Sequence, residues 1–150
     1  MDLGVFVYGS LMSERVLWCL LERKIAMRPA RLVGYSRKSI RGRVYPAIVP
    51  QEGGTVEGML LALRDEKEVT LLDEFEADEY IKQTVEVDDL DNNTNVFTQA
   101  YIWSESLHDM LDDQAWSYSQ FEKDHLTTYL VMCTEFGREA RSQLGFQTQT

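Results

Sequence analysis

Two stretches of the chain hold residues whose types and spacing could do chemistry. The first is the run Asp73-Glu74-Phe75-Glu76-Ala77-Asp78-Glu79, with five acids in seven positions. Asp73, Glu74, Asp78 and Glu79 read as the solvated end of a helix. Glu76 reads differently, because it falls four residues after Leu72 and beside Phe75, on the apolar side of that helix. A carboxylate partly withdrawn from water holds its proton more tightly and becomes a better base. Acids at a helix C-terminus also oppose the helix dipole, a local cost that points to a purpose. The pattern offers Glu76 as a proton carrier, with one more surface acid as the plainer alternative.

The second stretch is Val5-Phe6-Val7-Tyr8-Gly9-Ser10-Leu11. An apolar strand that runs into Gly-Ser and then into a helix leaves several backbone N–H groups unpaired at one point. Those donors and the positive end of the helix favour a carboxylate or phosphate. Glycine allows close backbone approach or a positive φ. The stretch lacks the length and lysine of a nucleotide P-loop, and it lacks the GxGxxG spacing. From spacing alone it reads equally as an anion loop or as a plain strand-to-helix turn. Ser10 as a nucleophile would need a base, and the chain offers only His108 and His125. Tyr8-Gly9-Ser10-Leu11-Met12 is not G-x-S-x-G. Two histidines, two cysteines and scattered carboxylates give no metal-ligand spacing.

The elements that must position these residues follow from periodicity. Gly4 to Tyr8 reads as a buried strand. Ser13 is a plausible N-cap, and Val16, Leu17, Leu20 and Leu21 carry a helix to about Lys24. Ala30 to Ile40 reads as a strand irregular at Gly34. Ala47 to Val49 resumes after Tyr45-Pro46, Gln51 to Gly54 is a turn, and Thr55 to Leu63 is a further strand with Val56, Gly58, Leu60 and Ala62 on one face. Asp65 and Glu68 have capping-box spacing, opening a helix from about Glu66 to Phe75. Tyr80 to Asp88 alternates, with Ile81, Val85 and Val87 inward, and Val96 to Trp103 returns after an Asp/Asn-rich hairpin loop. Ser119 and Glu122 form a second capping box. It opens an amphipathic helix to about Arg141 that packs on the sheet through Phe121, Leu126, Tyr129, Leu130, Cys133 and Phe136. Trp103, Trp116 and Tyr118 should pack that helix onto the sheet, and Gln147 to Thr150 should fray.

The bulk properties agree with one domain over residues 1–150, a core from about 4 to 103 and a helical extension from about 105 to 145. The length of 150 residues suits a single core that needs no metal or disulfide staple. The irregular mix of strands and helices predicts an α+β domain with a curled mixed sheet or small barrel. A net charge of −10 repels phosphate backbones, so nucleic acid is not an expected partner. No apolar run reaches the ~18 residues needed to span a bilayer. The N-terminus lacks the basic segment of a secretory signal, so a cytoplasmic location is expected. Cys19 and Cys133 read as buried free thiols in a reducing compartment. Eight basic residues lie from Arg23 to Arg43 with no acid between them. They read either as a solvated face or as a rim that draws an anionic substrate to a cleft.

Taken together, Val7-Tyr8-Gly9-Ser10-Leu11, Tyr45-Pro46-Ala47-Ile48, Gly58, and Leu72-Asp73-Glu74-Phe75-Glu76 followed by Tyr80 and Val85 resemble the γ-glutamylcyclotransferase-like family. The long C-terminal helix is similar to that of the plant members, which include avirulence-induced proteins, so a stress or defence link rests on that likeness alone. The resemblance implies a small barrel with flanking helices and no cofactor. It implies that Tyr8, Gly9, Ser10, Leu11, Met12 and Ser13 hold the α-carboxylate and amine end of a γ-glutamyl group, with Tyr80 also at the substrate, and that Glu76 is the acid/base. The implied reaction is intramolecular acyl transfer, in which the α-amine attacks its own γ-amide and releases pyroglutamate and a free amine. The nucleophile then belongs to the substrate, in keeping with the lack of a triad. Two positions depart from the family pattern: Ala77 stands where many relatives have glycine, and Lys82 where arginine is common. They leave open a non-catalytic small-molecule-binding or regulatory module on the same fold. The oligomeric state is not legible in the sequence.

Overall fold

Five stretches of alternating side chains become strands: β1 (Leu3–Val7), β2 (Met27–Ser39), β3 (Pro46–Leu63), β4 (Tyr80–Asp89) and β5 (Thr94–Trp103). The computed structural model describes residues 3–146 and closes these strands into a barrel in the order β1-β3-β2-β4-β5. The β1–β5 seam is parallel, and the other pairings are antiparallel. Four α-helices stand against it: α1 (Glu14–Leu21), α2 (Glu66–Glu76), α3 (Tyr118–Asp124) and α4 (Leu126–Leu144). This is the α+β barrel with a long C-terminal helix that the strand and helix patterning predicts.

The period-two alternation divides the apolar residues between two cores. Phe6, Tyr8, Leu32, Ile48, Val56, Val85, Val87, Ala100 and Ile102 fill the barrel. Val5, Val7, Leu61, Tyr80, Tyr101 and Trp103 face outward into a second core beneath the helices. Residues 5–8 read as an unbroken apolar run because β1 is covered on both faces.

Several sequence expectations change in physical detail. The turn at Gln51 to Gly54 does not separate two strands. Tyr35 pairs with Pro50 and Val33 with Thr55, so the turn residues form a wide bulge opposite Gly34 within one long β3. Gly34 and Gly53 supply the positive φ, +91° and +78°. Ile81 shares the inward parity of Val85 and Val87, yet it is 50% exposed where β4 begins. α1 stops at Leu21 rather than Lys24, with Glu22 left-handed at φ +54° and its N–H donating to the Trp18 carbonyl.

The expected capping box at Asp65 is half formed. The Glu68 N–H donates to Asp65 Oδ1 at 3.1 Å. The Glu68 side chain instead accepts from the Arg64 N–H at 2.6 Å and pairs with Arg23, wholly buried. The second box is displaced: Ser117 is the cap, accepting from the Gln120 N–H at 3.3 Å, and Ser119 lies inside α3. The single C-terminal helix is broken at His125, where φ is −129° and ψ −17°. α4 packs on α1 and α2 rather than directly on the sheet. Arg141 seals that contact, donating from Nη1 to the Cys19 and Leu20 carbonyls at 2.8 and 2.7 Å, where a cation also suits the C-terminal end of α1.

Trp116 and Tyr118 join the helical segment to the sheet side as expected, packing on Phe121 of α3, with Arg37 of β2 over the Trp116 ring. Trp103 stacks edge-on against Tyr80 at 5.2 Å, while Trp116 donates to the Val44 carbonyl at 2.8 Å and packs with Tyr118 and Phe121. Cys133 is buried and Cys19 only half-buried, and both are free thiols. The expected fraying of Gln147 to Thr150 lies outside the described residues.

Candidate active site

β1 ends at Val7, and the chain turns through Gly9 into one turn of 3-10 helix at Ser10–Met12 before α1 begins. Close approach explains the glycine, since a Cβ at Gly9 would fall 2.7 Å from Cδ of Pro46. The turn uses two of its own donors: the Met12 N–H bonds to the Gly9 carbonyl at 3.0 Å and the Ser13 N–H to the Ser10 carbonyl at 3.1 Å. The N–H groups of Gly9, Ser10 and Leu11 have no acceptor among the described residues. A cluster of such donors is an anion-binding concavity.

Neighbouring elements hold that loop in place. Arg37 Nη1 donates to the Tyr8 carbonyl at 2.8 Å, and its guanidinium lies over the Trp116 ring. The Tyr8 hydroxyl donates to the Tyr101 carbonyl at 2.6 Å. The Tyr80 hydroxyl donates to the Pro46 carbonyl at 2.8 Å, fixing the proline that backs Gly9. The hydroxyls of Ser10 and Tyr129 share a hydrogen bond of 3.0 Å, which ties the loop to α4. Burial above all, with the charge of Glu76 adding to it, pushes the Tyr8 and Tyr80 hydroxyls well above the ordinary tyrosine range, so both stay neutral. Ser10 therefore has a tyrosine partner and not a histidine base, and neither His108 nor His125 lines the cavity.

Glu76 closes α2 and faces the same cavity, which has a volume of about 180 Å³. Burial, followed by the charge of Asp73 one helical turn earlier, raises its carboxyl to about 8. The next residue, Ala77, takes φ +61° and ψ −161°, a conformation almost reserved for glycine. That backbone demand suits glycine, and Ala77 meets it with a side chain in place.

Of the residues expected at the site, Tyr8, Gly9, Ser10, Leu11, Glu76 and Tyr80 line this one cavity. Met12 and Ser13 do not. Met12 packs against the outer core, and Ser13 caps α1 by accepting from the Val16 N–H at 3.3 Å. Asp73 and Glu79 are not the simple solvated acids their spacing suggests. Asp73 accepts from the Tyr101 hydroxyl and from Lys82, while Glu79 lines the cavity and binds Arg43 through both oxygens at 2.6 and 2.8 Å. Lys82 is held on Asp73 and does not line the cavity.

Half of the basic run, Arg23, Arg28, Arg31 and Arg43, pairs with Glu68, Asp89, Glu57 and Glu79, and none of the eight lines the cavity. Sequence reasoning missed Tyr45, Tyr101, Tyr129 and Phe136 in the lining. Tyr45 carries a signal in its proline neighbour, whereas Tyr129 and Phe136 look like ordinary helix-packing residues. Among the described residues, no group of three or more His, Cys, Asp or Glu side chains is placed to hold a metal ion.

Residues 5–119 match the protein family described as gamma-glutamyl cyclotransferase, AIG2-like. The chain is 36% identical to AIG2-like protein D of Arabidopsis thaliana over 141 residues, covering 91% of this chain and 90% of that one. A solution structure of an Arabidopsis thaliana protein, 26% identical, superposes with a TM-score of 0.67 over 99% of this chain and 89% of its own. A structure described as gamma-glutamyl cyclotransferase, 14% identical, superposes with a TM-score of 0.62 over 100% of this chain and 90% of its own, a likeness of fold.

Proposed function

The chain belongs to the gamma-glutamyl cyclotransferase, AIG2-like family, and we propose that it converts a γ-glutamyl compound into pyroglutamate and a free amine. The observation that carries this reading is one cavity holding both the unpaired N–H groups of Gly9, Ser10 and Leu11 and the carboxyl of Glu76, raised to about 8. The loop donors take the substrate's α-carboxylate. That contact folds the γ-glutamyl chain so that its α-nitrogen approaches its own γ-carbon, replacing a bimolecular encounter with a positioned intramolecular one.

Proton movement falls to Glu76. The α-ammonium cannot attack until it loses a proton, and the Glu76 carboxylate accepts it. The C–N bond of the lactam then forms, and the γ-amide C–N bond breaks. Glu76 returns the proton to the departing nitrogen. A carboxyl near 8 exchanges protons at neutral pH far more evenly than an exposed glutamate would. Tyr8, Tyr80 and Tyr129 shape the cavity, with hydroxyls engaged on Tyr101, Pro46 and Ser10. The substrate is a small molecule, and the two free thiols fit a reducing, cytoplasmic setting.

The test is direct. Purified protein is incubated with γ-glutamyl amines, γ-glutamyl dipeptides and glutathione, and pyroglutamate is measured. Release from at least one of them supports the reading, and release from none overturns it.

A further inference from the structure

The barrel that brings Gly9 and Glu76 together has a second opening at its other end. Among the described residues the parallel β1–β5 ladder holds two pairs, Val5 with Gln99 and Phe6 with Ala100. Towards the start of both strands β1 pairs only with β3, Gly4 with Ala62 and Leu3 with Leu63, so the seam parts. A cavity of about 190 Å³ occupies the parting, against about 180 Å³ for the one beside Glu76, and the two share no lining residue. Gly4 lies on one side of the parting and Val96, Phe97 and Thr98 on the other, while Arg28 and Leu60 add to the wall.

Two polar groups in that wall have bonding capacity to spare. Thr98 shares the inward parity of Ala100 and Ile102 and is 8% exposed. Its Oγ1 is the one buried side-chain polar atom without a hydrogen-bond partner among the described residues. A buried hydroxyl left so costs stability unless something bonds it. Arg28 donates through Nε to Asp89 Oδ2 at 2.9 Å, and among the described residues its two Nη groups have no acceptor. Asp89 does not depend on that bond alone, since it also accepts from the Asp91 and Asn92 N–H groups, both at 3.2 Å, and from Asn92 Nδ2 at 3.0 Å. The other polar side chains of the wall, Gln99 and Thr84, bond each other at 2.8 Å. The rest is apolar: Leu60 and Val96 belong to the barrel core, and Phe97 is 75% exposed.

We propose that this opening is a second ligand site, separate from the one beside Glu76, and that it takes a small monocarboxylate with an apolar tail, such as an arylacetic or branched-chain acid. The Arg28 Nη groups form a planar fork that matches a carboxylate. The Thr98 hydroxyl donates to the same head group and gains the partner it lacks. The tail covers Leu60, Val96 and the ring of Phe97. Phosphate fits less well, because its further negative charge would stand beside Asp89 in a chain of net charge −10. The site and its ligand class do not depend on the cyclotransferase reading.

The experiment titrates phenylacetate, phenylacetamide and inorganic phosphate into isotope-labelled protein and follows the backbone amide signals by NMR. Phenylacetate should shift Gly4 and Phe97 to Gln99 with a Kd below about 1 mM. Phenylacetamide and phosphate should bind at least about tenfold more weakly, and Arg28→Gln should weaken phenylacetate by a similar factor. Thr98→Val keeps the size of the side chain and removes the unpaired hydroxyl. It should weaken phenylacetate on the order of fivefold and leave the melting temperature of the free protein unchanged or higher. Shifts confined to Gly9–Leu11, or no saturation by about 10 mM, overturn the site. Equal binding of phenylacetamide overturns Arg28 as the partner of a carboxylate, and that comparison needs no variant. Phosphate binding as tightly as phenylacetate overturns the ligand class. A Thr98→Val protein that melts lower and binds phenylacetate as well as the wild type overturns the role of the hydroxyl, which water alone would then satisfy.

Discussion

Tyr101 donates its hydroxyl to Asp73 Oδ1 at 2.7 Å, joining β5 to α2 across the cavity wall. Lys82 holds the same carboxylate from β4, at 2.9 and 3.1 Å. Asp73 is thereby fixed one helical turn before Glu76, and its charge adds to burial in raising the Glu76 carboxyl to about 8. A base acts in its deprotonated form, so kcat/KM should climb with pH and level off above about 8. Asp73→Asn removes the neighbouring charge and should move that acid limb to lower pH. A pH–rate profile of both proteins checks this, and a limb that stays in place would detach Asp73 from the tuning of Glu76.

The same carboxyl has a consequence for stability. Below pH 4.5 Glu76 is protonated in both the folded and unfolded chain, and its burial costs nothing extra. Between 4.5 and about 8 the unfolded chain releases that proton while the folded chain keeps it, so stability falls as pH rises. Glu76→Gln has no proton to lose. Its advantage over the wild type should grow from nothing near pH 4 to on the order of 2 kcal/mol near pH 8, after the partial exposure of the residue is allowed for. Denaturant unfolding of both proteins at the two pH values measures it.

Ala77 follows Glu76 at φ +61° and ψ −161°, where a side chain is strained by about 1–3 kcal/mol. Ala77→Gly relieves the strain and adds some unfolded-state entropy. The net gain should be about 1 kcal/mol, or a rise of roughly 2–4 °C in melting temperature. A lower melting temperature would show that the methyl group makes a contact worth more than the strain.

The Tyr8–Leu11 turn, Glu76 on the apolar side of its helix, and the alternation of β4 and β5 are all legible in the sequence. Each follows from local spacing, and local spacing is what periodicity reads. The features that stayed hidden depend on distant partners. Ile81 has an inward parity, but parity cannot say where a barrel ends. Asp73 and Glu79 resemble Glu74 and Asp78 in the sequence. Their roles come from Tyr101, 28 positions along, and from Arg43, 36 positions back. Tyr129 reaches Ser10 across 119 positions. The wide bulge at Gln51 to Gly54 and the break at His125 are tertiary outcomes that override good local turn and helix signals.

Glu76 as the carrier of the proton is tested most directly by the rate at which Glu76→Gln releases pyroglutamate. The amide keeps the size of the side chain but can neither take the proton from the α-ammonium nor return it. With any γ-glutamyl compound that the wild type turns over, the variant should retain its melting temperature or raise it and lose on the order of 10²- to 10⁴-fold in rate. A folded variant that releases pyroglutamate as fast as the wild type would contradict that role for Glu76.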